Sequence, residues 1–428
     1  MKNHSDTLFS SIRGSEFFNN FLKLSSGIVL AQVLPILFYP VLSRIYTPSD
    51  FGLLASVSAI VPILSIISSG MYESAILVTK DKHEAANLVG LVLFRSSIFS
   101  IIFILSVYFF SASFLEYLNP RLEDWLIFTP LISFFTVIFN VYNEWCVRNK
   151  YFSHLAKNKI FNTSAVTASK VIFGFAKMSS NGLVFGDIVG KFLSSVSSTY
   201  KAILLDKKYF SLISINQIIK ISKIYLNFPR ILMADQIFNN LGGAIHIFFI
   251  GVYFNNDELG YVSMAMSLLT VPVTVISAAI KDVFRQKAIE VYAISGNCRN
   301  IYLRLLKPLI IFGFLFFGLL YFIMPTLLIN FLGPQWTKTA TYSLILLPMF
   351  YSNFVSMSLG GILILSNKLI VSLYWQIFTL LLGALAFIIG IFVFKDIVMS
   401  LVLFSFARTI TYILYGIISY YFAKSKEY

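Results

Sequence analysis

Arg44–Leu54 reads RIYTPSDFGLL, a turn that packs Arg, Pro, Ser and Asp between two runs too apolar for water-soluble helices. A related stretch, VYFNNDELGYV, occupies Val252–Val262. Allowing one inserted residue, Tyr46/Tyr253, Asp50/Asp257 and Gly52/Gly260 correspond. From Tyr46 to Tyr253 is 207 residues, close to half of a 428-residue chain. Pro, Asn and acid at such a turn end one helix and start the next, and Asp50 and Asp257 are expected to cap the helices that follow. An even number of spans between the copies gives both the same orientation, so the chain reads as two parallel repeats about an axis along the membrane normal. A shared hairpin type would explain the match equally well by itself.

Composition decides the class. Hydrophobic residues make up 57% of the chain and charged residues 12%, and the mean hydropathy is +0.80. Soluble globular domains do not reach these values. A hydrocarbon core of about 30 Å takes about 20 apolar residues per helix. Apolar runs between charge clusters and Pro/Gly/Asn punctuation fall near 22–43, 52–78, 88–110, 123–146, 158–177, 182–204, 231–254, 259–283, 305–330, 339–365, 369–394 and 396–421. The expected fold is an all-α polytopic membrane protein, with twelve transmembrane helices in two pseudo-symmetric six-helix lobes around a central cavity. The first twenty residues are polar and of mixed charge, unlike a cleavable signal.

The formal charge of +14 is distributed as in a membrane protein rather than a nucleic-acid binder. With the N-terminus cytoplasmic, 24 of the 33 Lys and Arg flank inner loops and tails. Five (Arg44, Arg121, Lys177, Lys338 and Lys395) lie outside, and four lie within spans. Both termini are therefore expected in the cytoplasm. The organisation is a lobe over 1–204, a link over 205–230 and a second lobe over 231–428. The link combines apolar helical spacing with Lys220 and Lys223, which suits an interfacial helix.

Several chemistries find no support. Cys146 and Cys298 are far apart and near the expected inner face, as reduced thiols would be. His4, His83, His154 and His246 have no metal-ligand spacing, and no phosphate-binding GxxxxGK[ST] loop occurs. No metal or cofactor is expected.

Polar stripes at helical spacing mark interior faces. The second span carries Ser58, Pro62, Ser65, Ser69 and Glu73; the seventh carries Asp235, Asn239, Gly242 and His246. The eighth carries Ser267, Thr270, Thr274, Ser277 and Lys281, while Gln32 lies in the first, which Pro35 and Pro40 are expected to bend. Ser and Thr alone read as helix-packing glue. Glu73, Asp235 and Lys281 tip the reading towards a bundle interior or wet cavity. Counting from Lys80 and Arg230 at 1.5 Å per residue places Glu73 and Asp235 roughly 8–10 Å inside the inner boundary. Asp187 and Lys191, four apart, suit an internal ion pair. Arg95, Lys170 and Arg408 have no obvious local partner, and Tyr39 and Tyr72 could stack on sugar rings.

Four stretches in order carry a resemblance to a known family. They are LSSGIVLAQVLPILFYPVLSRIYTPSDFGLL, GMYESAILVTKDKHEAANLVGL, FPRILMADQIFNNLGGAIHIFFIGVYFNNDELGYVSMAMSLLTVPVTVISAAIKDVFRQKA and NFLGPQWTKTA. Together they resemble the Wzx-type O-antigen and oligosaccharide flippases of the multidrug/oligosaccharidyl-lipid/polysaccharide exporter superfamily. The resemblance implies transport by alternating access of an undecaprenyl-diphosphate-linked sugar unit across the bacterial inner membrane, from the cytoplasmic to the periplasmic leaflet. Membrane lipid and other polysaccharide-assembly proteins are its implied partners. A diphosphate needs cations, which makes Arg230, Lys281 and Arg285 expected first contacts, with Gln32 and Asn239 beside them. Glu73 and Asp235 have three roles open: orienting those cations, bonding sugar hydroxyls, or taking up H⁺ or Na⁺ in an antiport cycle.

Two other classes compete. A drug exporter of the same superfamily would want an acidic cavity, whereas these spans carry net cationic charge at the inner end. A glycan-assembly enzyme would want acids or nucleophiles on a sizeable outer loop. The longest outer link here is SASFLEYLNPRL, with no paired-acid motif, so an enzyme is not expected.

Overall fold

The computed structural model describes residues 16–79, 81–114, 120–178, 180–295, 297–366 and 368–424. Lys80, the reference for the depth of Glu73, and both chain ends lie outside them. Among the described residues the chain is helices joined by short turns, with one isolated bridge between Asn297 and Lys424. The helices are α1 Glu16–Ile45, α2 Pro48–Ser69, α3 Tyr72–Ala75, α4 Lys82–Phe114, α5 Pro120–Leu126, α6 Thr129–Arg148, α7 Phe152–Phe175 and α8 Ser180–Phe210. They continue with α9 Ile215–Ile224, α10 Met233–Tyr253, α11 Asn256–Ser295, α12 Arg299–Leu332, α13 Thr337–Ser358, α14 Ile362–Leu365, α15 Leu369–Ile389 and α16 Ile397–Phe422.

 The short pieces α3, α5 and α14 belong to the second, fourth and tenth expected spans, and α9 is the helix expected in the link. Helix α15, Leu369–Ile389, opens the eleventh span.

Eight described segments are long and apolar enough to cross a membrane by length and composition. Helices α7, α8, α10 and α13 fall below that apolarity because polar side chains sit along them, and many of those find partners inside the protein. Asn158 Nδ2 donates to Asn143 Oδ1 (3.1 Å), and Ser198 Oγ donates to Asn158 Oδ1 (3.1 Å).

Two expected continuous spans are broken. The run over 52–78 stops at Ser69 because Gly70 and Met71 both adopt left-handed backbone, φ 63° and 57°, before α3 resumes. The run over 339–365 stops at Ser358, and Gly361 at φ 101° turns the chain into α14. By contrast, α1 runs unbroken through Pro35 and Pro40.

The chain divides into two compact units. One comprises Met1–Phe38, Ile60–Glu116 and Glu123–Met233; the other comprises Tyr39–Ala59, Tyr117–Leu122 and Ala234–Tyr428. Within the first, Gly186 and Gly190 bring α8 against the backbone of α7. A Cβ on Gly190 would lie 2.3 Å from Val166 Cα, so only glycine permits this approach.

Within the second unit the repeated turns meet. A Cβ on Gly52 would lie 2.1 Å from the Asn256 carbonyl oxygen, and one on Gly260 would lie 1.8 Å from that of Pro48. Each glycine thus leaves room for the first residue of the other helix. Pro48 starts α2 and Asn256 starts α11, so the structural register needs no inserted residue: Asp50 corresponds to Glu258, not to Asp257. The capping expectation changes accordingly. Thr47 Oγ1 accepts from Asp50 N–H (3.4 Å) and Asp50 Oδ2 accepts from Thr47 N–H (2.9 Å), a reciprocal box. In the other copy the cap is Asn255, whose Oδ1 accepts from Glu258 N–H (2.8 Å), and Asp257 is exposed.

The segment GPQW, residues 333–336, completes this end of the unit. Ser43 Oγ donates to Leu332 O (2.8 Å), and Trp336 Nε1 and Gln335 Nε2 both donate to Ser43 O, the former at 3.1 Å. The fully buried Trp336 ring meets Phe51 edge-on at 5.2 Å and Tyr261 at 5.9 Å.

Candidate functional site

In the first unit the break after α2 shapes the surroundings of Glu73. A helix that stops inside a membrane leaves carbonyls without partners, and each must be satisfied. Arg95 on α4 does this: Nε donates to Ser68 O (3.2 Å) and Nη2 to Ile67 O (3.4 Å). Arg148 on α6 does the same for the following turn, with Nη1 donating to Ile76 O and Thr79 O, both at 3.0 Å. Arg95 therefore has a structural role that sequence spacing did not reveal, because its acceptors are backbone atoms freed by the break.

Glu73 sits just beyond that break. Its carboxylate is buried at 8% exposure. Ser69 Oγ donates to Oε1 (3.1 Å) and also accepts from Met71 N–H (3.1 Å), so one serine holds both the turn and the acid. Oε2 has no hydrogen-bond partner among the described residues. A buried carboxylate oxygen in that state is compatible with a proton or a cation. The adjacent Tyr72 ring lies 5.9 Å below the Arg95 guanidinium and its hydroxyl donates to Ser222 O (2.9 Å), so this ring is engaged.

Elsewhere in this unit, Asp187 is held at 3.1 Å by Lys170 and at 3.0 Å by Lys191. The i,i+4 pair expected from sequence is present, and Lys170 joins it across the glycine-lined approach of α7 and α8. The cluster is two cations on one buried acid, with structural neutralisation as its evident role. Gln32 is half-buried on α1. Arg230 is exposed within a wide helical turn, Phe228–Leu232, that leads into α10.

In the second unit, Asp235 is half-buried at the start of α10; Gln236 Nε2 donates to its Oδ2 (3.3 Å), and Ser372 lies beside it. Asn239 is exposed one turn later. His246 is buried, its ring 5.8 Å from that of Phe404. Arg408 finds a partner on its own helix, Nη2 donating to Tyr412 Oη (2.9 Å) with the guanidinium 5.1 Å over that ring. Lys281 is half-buried, its Cε 3.9 Å from where a Cβ on Gly360 would stand, beside the C-terminal end of α13. A cation suits that helix end. Arg285 is exposed one turn further along α11.

Two hydroxyls of the α11 stripe bond to their own helix and one reaches α13. Thr270 Oγ1 donates to Met266 O (2.7 Å), Thr274 Oγ1 to Val271 O (3.0 Å) and Ser277 Oγ to Phe354 O (3.3 Å). Tyr39 packs edge-on against Phe51 at 6.4 Å, next to the repeated turn, and is engaged there rather than offered as a free platform. Sequence reasoning missed the buried Glu258, which accepts from both Lys338 and Tyr342 on α13. The signal was present in the second copy of the turn, at the position of Asp50.

Among the described residues no group of three or more His, Cys, Asp and Glu could hold a metal ion. What the arrangement offers is therefore a set of cations, two half-buried or buried acids and polar side chains on membrane-spanning helices.

The chain is similar in fold to solved transporters. An inward-facing multidrug resistance MATE family transporter of the MOP superfamily matches at a TM-score of 0.62 and 14% identity, covering 93% of both chains. The lipid II flippase MurJ in an inward closed conformation matches at 0.62 and 14%, covering 96% of this chain and 87% of that one. An outward-facing MATE family transporter of the same superfamily matches at 0.61 and 14%, with 94% of each chain covered. At such identities the likeness establishes the fold, twelve membrane helices of the transporter type. No curated protein sequence matches the chain. The family described as polysaccharide biosynthesis protein matches residues 41–341, which takes in the repeated turn, the broken second span, the link and GPQW. The chain belongs to that polysaccharide biosynthesis protein family.

Proposed function

We propose that this protein is a flippase of the bacterial inner membrane, moving an undecaprenyl-diphosphate-linked oligosaccharide from the cytoplasmic to the periplasmic leaflet by alternating access. The cargo would be an O-antigen or related polysaccharide repeat unit. One observation carries the reading beyond the family. Arg230, Lys281 and Arg285 make no ion pair among the described residues, whereas Lys82, Lys170, Lys191 and Lys338 all do. Arg95 and Arg148 are likewise committed, to backbone carbonyls. Cations left unneutralised suit a diphosphate, which forms strong charge-assisted hydrogen bonds. Membership of the polysaccharide biosynthesis protein family favours a glycan cargo, and a lipid II flippase with the same fold supports one that is lipid-linked, although multidrug transporters share that fold equally.

Glu73 and Asp235 are the proposed coupling acids, because Glu73 Oε2 and Asp235 Oδ1 are both buried without a hydrogen-bond partner among the described residues. Either would exchange H⁺ or Na⁺ as the cargo moves. Gln32 and Asn239 are assigned to sugar hydroxyls. No bond is made or broken in this scheme, so the protein acts as a transporter rather than an enzyme.

Charge variants test the assignment. At equal membrane abundance, Arg230→Ala and Lys281→Ala should each lower translocation by roughly tenfold or more, the scale of losing a charged hydrogen bond. Lys281→Glu should be worse than Lys281→Ala. Wild-type rates in all of them would remove these residues from the site.

A further inference from the structure

The link between the halves has two apolar faces, and the protein covers only one. Towards the first unit, Ile221 is buried in a core with Ala85, Ala86, Leu88 and Val89, and Ile213 and Ile218 pack against that core. The approach is close: a Cβ on Gly90 of α4 would lie 2.7 Å from Ile213 Cγ2 and 3.3 Å from Ile218 Cδ1. Polar bonds fix the orientation. Ser214 N–H donates to Asn87 Oδ1 (3.0 Å), Ser214 Oγ caps α9 by accepting from Gln217 N–H, and Tyr225 Oη donates to Glu84 Oε1 (3.3 Å). Helix α9 is therefore held in one rotation about its axis.

That rotation turns a second set of apolar side chains outward. Ile215 is 76% exposed and Ile219, one turn on, 52%; Leu212 before the cap is also exposed. At 100° per residue Ile215 and Ile219 fall within one narrow arc of α9, separate from the arc of Ile218 and Ile221, while Leu212 lies in the turn before the cap. Lys220 and Lys223 are exposed beside it, and Lys207 and Lys208 are exposed just before it in the chain. No acid occurs between Lys207 and Asp235. The neighbouring Asp206 is buried, accepting from Trp145 Nε1 (3.0 Å) and pairing with Lys82 at 3.7 Å, so it does not offset the lysines. The chain reaches this strip from α8, whose exposed Phe192, Val196, Tyr200 and Leu204 form a ladder at steps of four, as a lipid-facing helix should.

We propose that the exposed face of α9 is a docking site for anionic phospholipid headgroups of the leaflet it borders. Leu212, Ile215 and Ile219 enter the boundary of the acyl region. Lys207, Lys208, Lys220 and Lys223 lie along the phosphates, their alkyl stems running over the apolar strip. Charge selects the occupant: a face carrying four lysines, with no acid on α9 or in the chain leading to it from Lys207, attracts anionic lipid, at roughly fivefold in affinity for each lysine near the surface. The fixed rotation of α9 presents this face without any ordering step. Through Tyr72 Oη on Ser222 O, the attached helix also braces the segment that carries Glu73. The proposal stands apart from the identity of the cargo.

A fluorescent label on Asn216→Cys reports this directly, because Asn216 borders the strip and both native cysteines, Cys146 and Cys298, are buried. The full-length protein is reconstituted into phosphatidylcholine vesicles carrying increasing amounts of phosphatidylglycerol, with an environment-sensitive dye at position 216. The expected result is a blue shift that rises with phosphatidylglycerol and reverses with salt. In Lys220→Gln/Lys223→Gln the phosphatidylglycerol needed for half the shift should rise by roughly tenfold or more. These are exposed side chains, so the fold is retained, and the salt arm tests the same point without any substitution. An emission that ignores phosphatidylglycerol and salt overturns the proposal. So does a shift that appears only when an acidic protein is added.

Discussion

The two copies of the turn share a backbone and differ in how they treat their acids. Asp50 and Glu258 occupy the same position, third in their helices, and both are buried. Asp50 is satisfied within its own turn by the reciprocal box with Thr47. Glu258 turns away from its turn to α13, where Lys338 and Tyr342 both donate to it. Gly52 and Gly260, by contrast, do the same thing in both copies, each admitting the other helix's first carbonyl. What is repeated is the geometry that lets two helices cross at backbone distance. Charge can be spent differently on each copy once that crossing exists.

Adding a methyl group to either glycine should have the largest effect. Gly52→Ala and Gly260→Ala should each cost about 3 kcal/mol or more, since the obstacle is a backbone carbonyl that cannot rotate away. Thermal unfolding of the purified protein should show both as large losses. Gly243→Ala, where a Cβ would meet nothing within 4 Å, should leave the melting temperature near wild type.

Glu258→Gln should come next, because Tyr342 and Lys338 both lose a charged acceptor; the expected loss is about 1–3 kcal/mol. Asp50→Ala should cost about 1 kcal/mol, the scale of a cap. Equal losses at the two positions would contradict the distinction drawn between them.

The Lys338–Glu258 contact also carries a pH dependence. The hydrogen bond to Glu258 raises the Lys338 pKa above the ordinary lysine value of 10.5. A cation whose pKa is raised on folding adds stability that is complete below its unfolded pKa and disappears as pH climbs through the folded one. The wild-type advantage over Lys338→Met should therefore be constant at neutral pH and shrink only above about pH 10.5. The effect should be small, because the lysine is largely exposed. Melting temperatures of both proteins across that range check it.

The twelve spans were legible because Pro, Asn, Gly and charge punctuate long apolar runs, and the bilayer tolerates little else there. The breaks after Ser69 and Ser358 were not, since glycine inside an apolar run is common and Met71 gives no hint of left-handed backbone. Those hidden breaks also hid the partners of Arg95 and Arg148, which are carbonyls and leave no trace in side-chain spacing. Lys170 found Asp187 only because Gly186 and Gly190 draw two helices together, a tertiary fact. The repeat was detected by matching letters, and identical aspartates drew Asp50 onto Asp257, whereas helix starts place it on Glu258. Of the candidate site, the acids and cations could be named from sequence; which of them were already partnered could not.

Transport of a lipid-linked glycan without chemical change separates a flippase from a glycan-assembly enzyme. The direct test is purified protein in liposomes carrying an undecaprenyl-diphosphate-linked oligosaccharide, with an impermeant probe following the glycan's leaflet and mass spectrometry following its composition. The glycan should cross the bilayer at unchanged mass, and Lys281→Glu should abolish the crossing. A glycan that stays in its leaflet, or one that acquires a new glycosidic bond from this protein alone, would contradict it.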